Sequence, residues 1–312
     1  MTERTGLGPF EIAVLTAVEK IGGSPDRGYR RTLRVLQCLE DEHGLGSRYS
    51  YSIMQDLAVP WRLHLPLLDA RGNFGSQHGD PAADARYTEI RLSRVGALAL
   101  RAERAEVGPV PLGLIEGSLY RDGPVPPFAP SRVLAALTDG SADAGTPALP
   151  TGGEVSGPVH ALLAGRRARL TLACTVVVEP GQLVITAVPL GVRINDVTQY
   201  LMERVMQGHR DRSRRRSGDY LGEAHVAPDE RTVDGIPVAD LRDETTVWTG
   251  VRVVCILVRG ADPGEAIDWL RTVWPVAVEV DCRLPTPMRR RLADWDAGDG
   301  AGLTALATAI DH

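Results

Sequence analysis

Ten residues, Gly72 to Pro81, hold three glycines and a proline, and they lie between two short runs that read as extended chain, Leu63 to Leu68 and Arg86 to Glu89. Glycine reaches positive φ without a Cβ clash, so this density predicts a turn-rich loop between strands. The chain before it is patterned differently. Phe10 to Ile21 places Ile12, Val14, Leu15, Val18 and Ile21 on one helical face, and Gly22-Gly23-Ser24-Pro25 ends the run. A second helix is predicted over Tyr29 to Glu42, with Leu33, Leu36, Cys38 and Leu39 inward. Gly44-Leu45-Gly46 turns into a third, Ser47 to Leu57, with Ser47 as its cap and Pro60 beyond its end. A fourth covers Leu92 to Glu106. Short helices, tight turns and a turn-rich strand pair are the pattern of a winged helix built on a helix-turn-helix.

Residues 107–158 are rich in Pro and Gly, including Pro124-Val125-Pro126-Pro127, with one short helix predicted at Ser131 to Leu137. Beyond them the pattern changes again. Ala168 to Val178, Gln182 to Val188 and Val251 to Val258 read as strands; Gln199 to Gln207 and Pro263 to Val273 read as helices, with Pro263 in a first turn. The expectation is an α+β chain with a domain at 1–107, a loop-rich join at 108–158 and a second α+β domain at 159–312. There is no internal repeat.

Charge bears on what such a chain can bind. The net charge is −5; residues 1–107 hold 14 basic and 14 acidic side chains, and the remainder holds 21 and 26. Phosphate neutralisation supplies much of DNA affinity, so any DNA contact must come from local clusters or from a more basic partner. The densest basic run, Arg210 to Arg216, reads either as a solvated loop or as a DNA-backbone contact. No apolar run approaches the roughly 20 residues of a membrane span, and Met1-Thr2-Glu3-Arg4 lacks a signal-peptide layout, so a cytoplasmic protein is expected. Cys38, Cys174, Cys255 and Cys282 form no Cys-x-x-Cys pair, so free thiols are expected rather than a metal site.

Three linked blocks carry a family resemblance: Gly72-Asn73-Phe74-Gly75-Ser76, Gly79-Asp80-Pro81-Ala82-Ala83 and Arg86-Tyr87-Thr88-Glu89-Ile90-Arg91-Leu92. The stretch resembles the active-site segment of the A subunits of bacterial type IIA topoisomerases, DNA gyrase and topoisomerase IV. Weaker echoes keep the family's order: Gly6-Leu7-x-Pro9, Tyr29-Arg30-Arg31-Thr32, His43-Gly44-Leu45-Gly46-Ser47, Leu149-Pro150-Thr151-Gly152-Gly153, Val188-Pro189-Leu190-Gly191-Val192, Asp234-Gly235-Ile236 and Leu241-Arg242-Asp243-Glu244-Thr245. The resemblance runs from about residue 6 to about residue 280.

It implies a winged-helix DNA-cleavage domain followed by a tower-like α/β domain. It implies that Tyr87 is the nucleophile that forms a covalent phosphotyrosine with DNA, and that Arg86 stabilises charge on the phosphate. Tyrosine suits this work because a phenolate leaves well on resealing; with an ordinary pKa near ~10, a phenol is activated by nearby positive charge. Arg30, Arg31, His43, Arg48, Tyr49 and Tyr51 fall where the family meets DNA, although a surface or capping role explains His43, and partly buried structural tyrosines explain Tyr49 and Tyr51, equally well. Arg214 and Arg215 are further DNA-contact candidates. Mg²⁺ and ATP would come through a B-type partner subunit, with none bound by this chain alone. The implied partners are double-stranded DNA, a second copy in a homodimer and that B-type topoisomerase subunit, at the nucleoid and with no membrane.

The resemblance also breaks in four places. Glu11-Ile12-Ala13 stands where the family has His-Arg-Arg, so an arginine that assists the cleaved phosphate is missing. Leu45 and Ser47 replace a histidine and an aspartate. The segment around 123–134 is too short for the family's DNA-bending insertion. The coiled-coil exit gate and the C-terminal DNA-wrapping domain are expected to be absent. Losing one charged transition-state contact commonly costs ~10²–10³ in rate. A catalytically impaired paralogue that regulates by binding DNA or a topoisomerase is therefore the alternative function.

Overall fold

The computed structural model describes residues 4–117, 125–139, 145–218, 235–246, 248–284 and 300–311, and of 208–218 the backbone alone. The chain mixes helix and sheet, and divides into two compact units. The first comprises Met1–Pro150, Val155–Leu170 and Val280–His312; the second comprises Thr151–Glu154 and Thr171–Glu279.

In the first unit, α1 (Pro9–Lys20) starts with proline at its first position, where the missing N–H costs nothing, and buries Val14, Leu15, Ala17 and Val18. The predicted second helix begins later than its periodicity suggests. Arg30 and Arg31 form a short strand, β1, whose backbone pairs with Ile90 and Glu89, and α2 (Thr32–His43) follows. A pairing partner remote in sequence overrides local helical pattern there. α3 (Ser47–Ala58) lies where it was expected, but its cap is Gly46, and the Ser47 hydroxyl donates to Glu40 Oε2 at 3.3 Å.

The strand expected at 63–68 is displaced: β2 is Leu68–Arg71 and β3 is Glu89–Leu92, and with β1 they make an antiparallel sheet in the order β1-β3-β2. α4 (Arg94–Glu103) is capped by Ser93, whose hydroxyl accepts from Gly96 N–H at 3.0 Å. The Pro- and Gly-rich stretch after it is folded into the core. Val110, Leu112, Ile115, Val125 and Phe128 are buried, and α5 (Leu112–Glu116) and α6 (Pro130–Thr138) belong to this unit. The last helix, Gly300–Ile310, adds Leu303 and Leu306 to the same core. Each such side chain contributes about 1.5–3 kcal/mol by leaving water.

One ionisable group is inside this core. Glu116 is 5% exposed, and its two carboxyl oxygens accept from the backbone N–H groups of His64 (2.7 Å) and Leu65 (2.9 Å). The carboxyl takes the place of a strand partner for the amides of His64 and Leu65. Burial pushes the Glu116 carboxyl up to about 8, and the two amide donors only partly oppose it. The folded state therefore holds a proton that the unfolded chain releases near the ordinary carboxylate value. Stability from this group is full at acidic pH and is lost as pH rises towards about 8. The unfolding free energy from urea titrations is expected to fall between pH 6 and 8, by at most about 1.4 kcal/mol per pH unit. Glu116→Gln is expected to flatten that slope; an unchanged slope in the variant would assign it to other groups.

The second unit is built on a four-stranded antiparallel sheet, β6-β7-β9-β8, of Thr175–Glu179, Gln182–Ala187, Val253–Leu257 and Val238–Asp243. The long apolar run 168–178 breaks at Cys174 into β5 (Ala168–Ala173) and β6. The helix expected at 199–207 extends over Ile194–Gly218, so the basic run 210–216 is helical rather than a loop. Its Ile194, Val197, Leu201 and Val205 join Leu183, Ile185, Val253 and Cys255 in the core, with Ala266 and Leu270 of the helix Pro263–Arg271. A separate sheet has the order β10-β5-β4, with β10 at Ala277–Cys282 and β4 at Glu154–Ser156. All four cysteines are free thiols, and burial pushes Cys255 up to about 12. Among the described residues no helix is long and apolar enough to cross a membrane.

Candidate active site

The loop between β2 and β3 is held by its own polar groups. Gly75 N–H donates to Asn73 Oδ1 at 2.8 Å, Ala83 N–H donates to the Asn73 carbonyl at 2.9 Å, and the Ser76 hydroxyl donates to Asp80 Oδ2 at 2.6 Å. Phe74 is buried beneath it, 6.2 Å from the Tyr51 ring. Gly72 has φ +97°, and a Cβ there would stand 2.9 Å from the Tyr87 carbonyl oxygen. A side chain at 72 would push the two limbs of the loop apart, so glycine lets Arg71 and Tyr87 lie side by side.

Tyr87 ends a 3-10 turn, Ala85–Tyr87. Its N–H donates to the Asp84 carbonyl at 2.9 Å, and the next residue is locked: Thr88 is fully buried and its hydroxyl donates to Thr32 Oγ1 at 2.9 Å. The backbone is fixed on both sides while the ring projects, 72% exposed, with no hydrogen-bond partner for its hydroxyl among the described residues.

An open cleft of about 540 Å³ lies beside it, lined by Arg31, Arg71, Gly72, Arg86, Tyr87 and Glu89. The sheet register explains the lining. Arg31 and Arg71 are both directly opposite Glu89, on β1 and β2, so the three side chains form one row on one face. The three arginines differ in state. Arg86 is tied to Asp84, Nε to Oδ1 at 3.0 Å and Nη2 to Oδ2 at 3.3 Å, with its guanidinium 5.8 Å from the Tyr87 ring centroid. The Arg86 side-chain bonds, and then its backbone N–H, hold the Asp84 carboxyl below the usual carboxylate range. Arg31 and Arg71 form no ion pair among the described residues; Arg71 stacks on Tyr29 at 4.0 Å.

The other residues singled out in the sequence lie elsewhere. Arg30 turns away from the cleft: its Nε donates to the Ile21 carbonyl at 3.0 Å and its Nη1 to the Tyr29 carbonyl at 3.3 Å. Tyr51 donates its hydroxyl to the Ala83 carbonyl at 2.6 Å, which pins α3 to the loop. His43 and Arg48 are exposed, on the last turn of α2 and the first of α3. Tyr49 is exposed and makes an edge-on contact with Phe10 at 5.5 Å. Arg214 and Arg215 are on the helix Ile194–Gly218, in the second unit, with side chains outside the described residues. Glu11, Ile12 and Ala13 do not line the cleft. Arg71 and Glu89 do, and sequence reasoning passed over both. The signal for them was the register that Gly72 imposes, visible only once β2 is placed at 68–71.

The cleft does not suit a divalent cation. Its lining sets three guanidiniums against one carboxylate, and the described residues contain no group of three His, Cys, Asp or Glu side chains placed to share a metal ion. It suits an anion.

Comparison with known proteins agrees with the blocks that build this cleft. Residues 41–107 match the family model that describes the A subunit of DNA gyrase/topoisomerase IV. The chain is 28% identical to the DNA gyrase A subunit of Aminobacterium colombiense over 303 residues, covering 83% of this chain and 34% of that protein. It is 36% identical to the DNA gyrase A subunit of Mycolicibacterium smegmatis over 141 residues, 44% of this chain and 16% of that one. With the DNA gyrase A subunit of Granulibacter bethesdensis it shares 39% over 98 residues, 31% of this chain and 10% of that one. The chain spans about a third of the length of the Aminobacterium relative and less of the other two. The similarity to DNA gyrase A subunits is divergent and partial.

Proposed function

We propose that this chain is a topoisomerase A-type DNA breakage-reunion component, with its first unit a winged helix whose wing carries the nucleophile and its second unit the counterpart of the family's tower. The observation that carries the reading is the exposed Tyr87 hydroxyl at the rim of an arginine-lined cleft. In the proposed step the Tyr87 oxygen attacks a DNA phosphorus. The P–Oη bond forms, the bond to the 3′ oxygen breaks, and a proton equivalent to the one lost by the phenol ends on the 3′ hydroxyl. Arg86 balances charge on the phosphate, because a guanidinium fork matches phosphate oxygens and its field favours the phenolate. Arg31 adds a second cation, and Arg48 and His43 extend the contact along α2 and α3. Arg214 and Arg215 would be further phosphate contacts.

Mg²⁺ and ATP would enter with a B-type partner. A second copy would supply the other strand's nucleophile, and the site of action would be cytoplasmic DNA. The test is covalent capture. The chain is incubated with supercoiled DNA, Mg²⁺ and a B-type subunit, denatured in SDS, digested, and the DNA-linked peptide identified. DNA attached at Tyr87 is expected; attachment elsewhere would overturn the assignment.

A second reading has its own observation. Asp84 already occupies two N–H groups of Arg86, and α1 offers Ile12 and Ala13 where an arginine is expected. A chain so altered would hold DNA or a true topoisomerase subunit without cutting. It predicts capture of a full-length A or B subunit in pull-downs, unaffected by Tyr87→Phe, with no covalent product from the parent.

A further inference from the structure

We propose that Arg71 is a phosphate-binding residue of the Tyr87 cleft and that Tyr29 is the residue that positions it, an inference that rests on the cleft receiving a DNA phosphate. The geometry separates two classes of arginine around this sheet. Arg30 and Arg91 spend their N–H groups on backbone carbonyls, Arg30 on those of Ile21 and Tyr29, Arg91 on those of Pro25 (2.9 Å) and Arg27 (3.3 Å). Those are arginines that hold a fold together. Arg71 makes no such bond among the described residues. Its guanidinium carbon lies over Tyr29, 4.0 Å from the ring centroid.

Stacking fixes a guanidinium through its face and leaves the N–H groups in its plane available for an oxyanion. The platform is itself anchored. Arg91 lies 4.6 Å from the same ring, and its Nε donates to Asp69 Oδ2 at 2.9 Å. Arg91 thus secures Tyr29, and Tyr29 presents Arg71. Gly72 then sets Arg71 next to Tyr87, because its missing Cβ admits the Tyr87 carbonyl.

Charge points the same way. Arg86 already pairs with Asp84, so the cleft arginines without an ion pair among the described residues are Arg31 and Arg71, in one row with Glu89. The ligand is a phosphodiester of duplex DNA.

The experiment is duplex binding by the full chain, read by anisotropy of a fluorescein-labelled mixed-sequence duplex over a range of KCl concentrations. Each phosphate contact contributes about 0.9 to the slope of log K against log salt. Arg71→Gln is expected to lower the slope by about 0.9 and to weaken binding roughly eightfold at 0.1 M salt. Its exposed side chain makes this change safe for folding. Tyr29→Phe keeps the ring face and is expected to bind like the parent. Tyr29→Leu is expected to match Arg71→Gln, and the double variant to be no weaker than Arg71→Gln alone. Arg101→Gln, on α4 outside the cleft, controls for loss of one charge.

An Arg71→Gln slope equal to the parent's, while Arg31→Gln lowers it, overturns this proposal and leaves the cleft's function standing. Additive losses in the double variant overturn the role of Tyr29. A parent that shows no salt-dependent duplex binding overturns both proposals.

Discussion

Tyr87→Phe is expected to reduce SDS-trapped DNA by on the order of 10⁴-fold or more, to below detection, in the presence of Mg²⁺ and a B-type subunit. The size of the effect follows from its chemistry: without the phenolic oxygen no covalent bond to phosphorus can form. The structure makes the result interpretable. The hydroxyl has no hydrogen-bond partner among the described residues and the ring is largely exposed, so its removal is expected to change stability by less than about 0.5 kcal/mol. The backbone at 87 is set by Asp84 and by the Thr88–Thr32 pair, neither of which the substitution touches. Salt-dependent duplex binding is therefore expected to stay at parental strength. If binding and capture fell together, Tyr87 would be a contact residue rather than a nucleophile. If the parent gave no covalent product while binding DNA normally, the regulatory reading would take its place.

The blocks around Tyr87 were legible in the sequence because they are punctuated by residues with one structural use. Gly72, Gly75 and Gly79 all adopt positive φ, and Asn73 and Phe74 hold the loop from above and below. Arg86 and Tyr87 could be placed side by side without knowing any long-range contact. What the sequence left hidden was set at a distance. Arg30 and Arg31 continue a helical pattern, and only their pairing with Ile90 and Glu89 makes them a strand. Arg30 and Arg31 then part company, one turned to carbonyls and the other to the cleft. Arg71 reads as a loop residue until β2 is shifted to Leu68–Arg71. The stretch after residue 107 shows neither a helical nor an alternating period, yet Val110, Val125 and Phe128 are buried, because irregular backbone can also present apolar side chains to a core. The helix Gly300–Ile310, rich in alanine, glycine and threonine, gave no strong amphipathic signal of its own.

Gly96→Ala is expected to cost about 3 kcal/mol or more and to weaken duplex binding with it, although helix propensity alone argues the opposite. Alanine in a helix interior is favoured over glycine by roughly 1 kcal/mol. A Cβ at 96, however, would stand 2.0 Å from the Leu67 carbonyl oxygen and 3.0 Å from its carbon. Neither atom can yield: Leu67 is fully buried, its N–H donates to the Leu57 carbonyl at 2.9 Å, and its carbonyl accepts from Ser93 N–H at 3.1 Å. α4 would have to lift from the start of β2, breaking the Ser93 bond and opening the core beneath, and overpacking of this kind typically costs 1–3 kcal/mol before such bonds are lost. At about 2–4 °C per kcal/mol for a unit of this size, the melting temperature should fall by roughly 6–12 °C. Gly28→Ala, whose added Cβ would have only Arg30 Nη1 within reach at 3.9 Å, is expected to change it little. The effect on binding follows from connectivity. β3 runs directly into Ser93, so a lifted α4 drags Glu89 and Leu92 against Arg71 and Leu68, the pairs that align the cleft. A variant as stable as the parent would show that α4 can stand off from Leu67 freely, and the register that aims Arg71 at Tyr87 would then need a different anchor.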